Sequence, residues 1–94
     1  MERNEMQICI IDGEQVNDRE TLHDVLKASL KLPDWYGRNL DALYDCLTDM
    51  QEETQIRILH EELLKDHLGS YAVSLVGAIR SAARDNSRLQ WETD

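Results

Sequence analysis

The chain has 94 residues, with 19 acidic side chains against 10 Lys plus Arg, a formal charge of -9 and a single proline. That length suits one domain spanning residues 1–94, and 41% hydrophobic residues provide for one core, which sets the sequence apart from disordered chains. The acidic excess repels nucleic-acid phosphates and anionic lipid, so a basic protein is the favoured partner, with plain solubility as the competing explanation.

The start, Met1-Glu2-Arg3-Asn4-Glu5, is polar and no apolar signal-type segment follows. No apolar run approaches the roughly 18–20 residues that span a bilayer. The expected setting is cytoplasmic, without membrane attachment. Gln7-Ile8-Cys9-Ile10-Ile11 reads as a strand apolar on both faces, stopped by an Asp12-Gly13 turn. Asn17 stands as an N-cap with Glu20 three residues on, and Leu22, Val25, Leu26 and Leu30 recur at helical spacing. The spacing predicts a helix over 18–30. In Leu32-Pro33-Asp34-Trp35-Tyr36-Gly37, Pro33 forces Leu32 out of the helix and Gly37 is expected to supply a positive φ. Asn39 caps a second helix to about Leu47, with Leu40, Leu43 and Leu47 as its apolar stripe.

Residues 54–59 have strand character, and 61–68 read as a short helix closed by Gly69. Ser70 is expected to cap a longer helix to about Arg84, with Val73, Val76, Ala78 or Gly77, and Ile79 toward the core. After an Asp85-Asn86 turn, residues 87–92 read as a last strand. Three strands separated by helical crossovers give a small α/β fold: a three-stranded parallel sheet with about four helices and right-handed connections.

The chemistry is concentrated in residues 34–53, which hold Asp34, Asp41, Asp45, Asp49, Glu52 and Glu53 against the single base Arg38. Asp41 and Asp45 are four residues apart, so they share one helix face, opposite the leucine stripe. Of the chain's five aromatic residues, Trp35, Tyr36 and Tyr44 flank this pair, with Tyr36 the candidate core ring. Aromatic rings beside paired carboxylates suit a hot spot against a basic groove, and a solvated acidic face is the plainer alternative.

The other reactive residue types point to less. Cys9 and Cys46 form neither a CxxC pair nor a metal-ligand spacing, and both read as small buried hydrophobes, with a disulfide between them left open. His23, His60 and His67 do not cluster in sequence and read as solvated or capping residues, so no metal or cofactor is expected. Arg80, Arg84 and Arg88 read as a solvated helix face. No Ser-His-Asp, glycine-rich phosphate loop or HExxH signature is present, and two carboxylates on an open helix face lack the enclosure that acid/base catalysis uses. The expectation is a binder, not an enzyme.

The segment Leu32-Pro33-Asp34-Trp35-Tyr36-Gly37-Arg38-Asn39-Leu40-Asp41-Ala42-Leu43-Tyr44-Asp45-Cys46-Leu47-Thr48 closely resembles the signature of the barstar family, intracellular inhibitors of barnase-type secreted ribonucleases. A looser likeness takes in Ile11 to Val16 and Leu22-His23. The resemblance implies a three-stranded parallel sheet with helices and an immunity or antitoxin role. It also implies an inhibitor that plugs a ribonuclease active site with its second helix and the preceding loop, imitating RNA phosphates. By position it makes Asp45 the principal carboxylate and Asp41 a second acidic contact. Trp35 and Tyr44 become contact aromatics, and Gly37 and Asn39 contact positions at the loop–helix junction. Two positions depart from the family pattern: Ser81 stands where an acidic residue is expected on the fourth helix, and Met50 replaces an aromatic after the second. The expected partner is a barnase-like or other small ribonuclease, bound by a chain that is monomeric when free. The alternative is a module of the same shape that binds another basic protein, such as an unrelated toxin or a regulatory partner.

Overall fold

The computed structural model describes residues 6–94, so the polar start read above lies outside the described residues. The elements run β1 (Gln7–Asp12), α1 (Arg19–Leu30), α2 (Leu40–Thr48), β2 (Thr54–Leu59), α3 (Glu61–Leu68), α4 (Ser70–Asp85) and β3 (Leu89–Thr93). The strands form one parallel sheet in the order β1-β2-β3. This is the α/β arrangement of four helices and three strands that the sequence predicts.

Register explains which side chains the sheet buries. Cys9, Ile56 and Trp91 stand side by side on one face, with Ile11, Ile58 and Thr93 in the next row. Two right-handed crossovers that step in the same direction put their helices on the same side of a sheet. That side holds the core, where Leu22, Leu26, Leu43, Leu47, Leu64, Leu75 and Ile79 are fully buried with Cys9, Ile11, Ile56 and Ile58.

The opposite face is open, and here the structure corrects the sequence reading. Ile8 and Ile10 are exposed on β1, beside Arg57 on β2, which pairs with Glu92 on β3 at 3.1 Å. A run apolar on both faces therefore marks a half-buried edge strand. On α4 the buried stripe is Ala72, Leu75, Ile79 and Ala82, while Val73, expected inside, is exposed and Val76 packs at the core's margin. Arg88 falls beyond α4 and pairs with Glu53, so the three late arginines do not form one helix face.

Caps also differ in detail. α1 is capped by Asp18, whose carboxylate accepts from the Thr21 amide at 2.8 Å, one residue later than the expected Asn17. Ser70 is the first helical residue of α4, and Gly69 occupies its cap position without a side-chain bond. α3 has no cap of its own. Asp94, beyond β3, accepts from the amides of His60 at 2.7 Å and Glu61 at 3.2 Å, and these bonds hold its carboxyl below the usual range. Gly13 lets β1's turn press against this helix start, since a Cβ there would lie 2.2 Å from the His60 carbonyl oxygen.

Candidate functional site

The loop from α1 to α2 turns Trp35 and Tyr36 in opposite directions. Trp35 is 81% exposed, whereas Tyr36 is 5% exposed and belongs to the core, as its sequence context suggested. The positive φ expected at Gly37 falls one residue later, at Arg38, with φ 55°. A left-handed backbone is unfavourable for a residue with a Cβ. Arg38 is held there by its guanidinium, which donates to Asp24 at 2.7 Å and to the Glu20 carbonyl at 3.0 Å. Gly37 is needed for space instead, because a Cβ would come within 3.3 Å of both the Ala42 methyl and the Asn39 side chain.

Asn39 begins α2 as predicted. Its side-chain oxygen accepts from the Ala42 amide at 2.7 Å, and its Nδ2 donates back to the Gly37 carbonyl at 3.3 Å. This one residue fixes the angle between loop and helix. Both polar atoms of its side chain are engaged in the cap.

The helix then presents two carboxylates outward. Asp41 and Asp45 are exposed, and among the described residues neither has an ion-pair partner, since Arg38 turns to Asp24 on α1. Asp45 lines a concavity with Trp35, Gly37, Ala42, Cys46 and Asp49. Asp41 and Tyr44 line a different groove, closed by Ser74, Gly77, Ala78, Ser81 and Arg84 of α4. Of the predicted residues, Trp35, Gly37 and Asp45 thus line one hollow and Asp41 and Tyr44 another, while Asn39 lines neither.

Tyr44 is half-buried, and its hydroxyl donates to Asp85 at the end of α4, a bond that raises its pKa. The sequence reading counted Asp49 among the acidic residues of 34–53 but not among the contact residues, and it shares the Asp45 concavity as well as a second hollow with Trp35, Pro33 and Met50. The signal was present, because Asp41, Asp45 and Asp49 recur every four residues. Cys46 lies between these acids. Burial, with Asp45 and Asp49 adding to it, raises its pKa and keeps it a thiol. Cys9 and Cys46 are both free, and burial pushes the Cys9 thiol up to about 11.

The histidines take three separate roles. His23 is buried, contrary to expectation, with Tyr36 at Nδ1 and Tyr71 at Nε2. His67 donates to the Val16 carbonyl at 3.0 Å. His60 sits 2.9 Å from Asp12 and 3.8 Å from Glu14 at the carboxyl ends of β1 and β2. Donor atoms of Asp12, Glu14 and His60 lie within 4.8 Å of one another, the spacing of a cation site. Their mutual ion pairing accounts for the arrangement without one. Among the described residues, no helix is long and apolar enough to cross a membrane.

A proline-led loop with one exposed and one buried aromatic, an asparagine cap and a helix bearing spaced aspartates, all on this sheet, form a specific combination. The profile of the family described as Barstar (barnase inhibitor) matches residues 6–92. The chain belongs to the barstar family. It is also similar to a Bacillus subtilis (strain 168) protein named "Putative ribonuclease inhibitor YrdF", with 43% identity over 81 residues, covering 85% of this chain and 89% of that protein. Ser81 and Met50, the two positions that the sequence resemblance marks as departures, have definite places. Ser81 lines the Asp41 groove, leaving Arg84 as its charged α4 residue. Met50 is nearly buried, its sulfur accepting from the Gln7 amide nitrogen at 3.3 Å.

Proposed function

We propose that this protein is a stoichiometric inhibitor of a small secreted ribonuclease, acting as a monomer from the cytoplasmic side of an immunity pair. The observation that carries the reading is the Asp45 concavity. A carboxylate with no ion-pair partner among the described residues stands beside an exposed tryptophan and a bare glycine backbone, with Asp49 at its edge. A ribonuclease holds RNA phosphates with cationic side chains. A carboxylate accepts the same charge-assisted bonds from those groups, and apolar rings that exclude water strengthen them.

In this reading Asp45 enters the phosphate site, and Trp35 and Gly37 fit against its rim. Asn39 sets the angle at which loop and helix arrive together. Asp41 and Tyr44 meet a second part of the enzyme, which also touches α4. The chain-wide charge of -9 steers a basic partner toward this surface before contact. Membership of the barstar family and the name borne by the Bacillus relative support the same role. The protein blocks and does not turn over substrate: its carboxylates stand on an open helix face.

The test is a titration into activity assays of barnase and a panel of other small secreted ribonucleases at low and high salt. The expected result is loss of activity in proportion to inhibitor added, up to one equivalent, for at least one enzyme, with slower onset at high salt. Full activity of every enzyme at excess inhibitor overturns the reading in favour of a barstar-shaped module for another basic protein. The Ser81 and Met50 departures make that second reading concrete, because they alter the surface flanking the carboxylates.

A further inference from the structure

We propose that Arg84 is a specificity-determining contact: in the hollow between α2 and α4 it takes a carboxylate side chain of the ribonuclease, beside the enzyme's cation that meets Asp41. The proposal rests on the reading of Asp41 and Tyr44 as part of the ribonuclease-facing surface. It adds the charge pattern that the enzyme must carry opposite α4.

The hollow has two walls of opposite sign. Asp41 stands on the α2 wall and Arg84 on the α4 wall. Both are exposed, and among the described residues they pair neither with each other nor with any other charged side chain. The acid next to Arg84 in sequence is already engaged, because Asp85 accepts a hydrogen bond from the Tyr44 hydroxyl. That bond chiefly raises the Tyr44 pKa, and the Arg84 charge acts on the same hydroxyl in the opposite sense. A chain of formal charge -9 thus leaves a cation unmatched, among its described residues, within its carboxylate-bearing surface.

The floor of the hollow is open as well. Gly77 lies in the middle of the 16-residue α4, where glycine weakens a helix relative to alanine. A Cβ there would meet nothing within 4 Å, so packing within the chain does not require the glycine. A bare backbone at this point leaves room for a group from outside to approach the helix closely.

Charge decides the occupant. A guanidinium donates paired bonds to a carboxylate in a fixed fork, and Ser81 offers a hydroxyl on the same wall. A cationic side chain reaching that wall is repelled. The fitting enzyme surface therefore carries a cation toward α2 and a carboxylate toward α4, and an enzyme with cations toward both walls is rejected. The chain-wide acidic field makes no such distinction, because it favours any basic partner.

The experiment measures association and dissociation rates, at low and high salt, with barnase and whichever other panel ribonucleases the wild type inhibits. Arg84→Gln is compared with Arg80→Gln, which removes the same charge from the same helix outside the hollow. Both variants are more acidic, so both should associate faster with a basic enzyme at low salt. Only Arg84→Gln should also dissociate faster, by about tenfold, and this effect should vanish against the enzyme variant whose facing carboxylate is replaced by an amide. Gly77→Leu fills the hollow, and it should keep the urea midpoint of the free protein at or above that of the wild type while dissociating faster. Arg84→Gln that dissociates like Arg80→Gln, or Gly77→Leu that dissociates like the wild type, overturns the proposal. A second arm needs no enzyme: acetate is titrated into the free protein while the arginine Nε–H resonances are followed by NMR. The expected result is a saturable shift at Arg84 with only a linear drift at Arg80, and equal behaviour of the two overturns the proposal. Inhibition of no enzyme in the panel counts against the ribonuclease reading, while the acetate arm still decides whether the hollow takes a carboxylate.

Discussion

Asp41 and Asp45 stand one turn apart on the same exposed face of α2, yet they open into different hollows. Asp45 looks toward Trp35 and Gly37, and Asp41 toward Tyr44 and the small residues of α4. A partner that reaches both must straddle the helix. The loop then decides how Asp45 is met, and α4 decides how Asp41 is met.

The arrangement works against the free protein's own stability. Like charges four residues apart repel, and no described side chain neutralises Asp45. Asp45→Ala should therefore raise the free protein's stability by about 0.2–0.5 kcal/mol while weakening inhibition. Urea denaturation at low salt measures the first effect, and it should shrink at high salt.

Position 81 tests the second hollow. Ser81→Glu adds a carboxylate to the Asp41 groove, three residues before Arg84. An exposed helical pair of this kind is worth about 0.2–0.5 kcal/mol, so the variant should fold at least as stably as the wild type. Stopped-flow association with an inhibited ribonuclease should be faster at low salt and should converge with the wild type at high salt.

Arg38 is one of two residues between α1 and α2 with a left-handed backbone, the other being Lys31 at the end of α1. Arg38→Gly loses the bond to Asp24 but relieves the left-handed backbone, whereas Arg38→Ala loses the bond and keeps the strain. The glycine variant should be the more stable of the two by about 1 kcal/mol in parallel denaturant titrations.

The two histidines with shifted pKa values give opposite pH slopes. His23 is lowered from 6.5 by burial and then by Arg38 and Arg19, so the unfolded chain binds its proton more readily and stability falls as pH drops below that value. His60 is raised from 6.5 chiefly by its bond to Asp12, so its contribution is full below 6.5 and is lost as pH rises through the raised value. His60→Ala should steepen the loss of stability toward acid. His23→Asn should leave stability that declines as pH rises through neutrality. Urea midpoints measured from acid to mildly alkaline pH separate the two.

What the sequence carried plainly was local. Asn39 caps α2 through a residue three positions away, and the apolar spacing of α1 and α2 reports their buried faces directly. What it hid depends on distant partners. Ile8 and Ile10 look buried until topology puts all the helices on the other side of the sheet. The positive φ sits on Arg38, not Gly37, because Asp24 holds it there from 14 residues away. His23 reads as an ordinary helix residue until Tyr71, 48 positions on, closes over it, and Asp94 caps α3 from the end of the neighbouring strand. Asp49 is different, since its spacing from Asp45 already placed it on the acidic face.

The most direct measurement is the dissociation rate of the complex with an inhibited ribonuclease, compared between the wild type and Asp45→Ala. Removing one member of a desolvated charge pair leaves the other buried and unpaired, which costs about 3–5 kcal/mol. The account predicts dissociation at least about a hundredfold faster in the variant, with association little changed. Equal dissociation rates would contradict it and move the inhibitory contact away from the second helix.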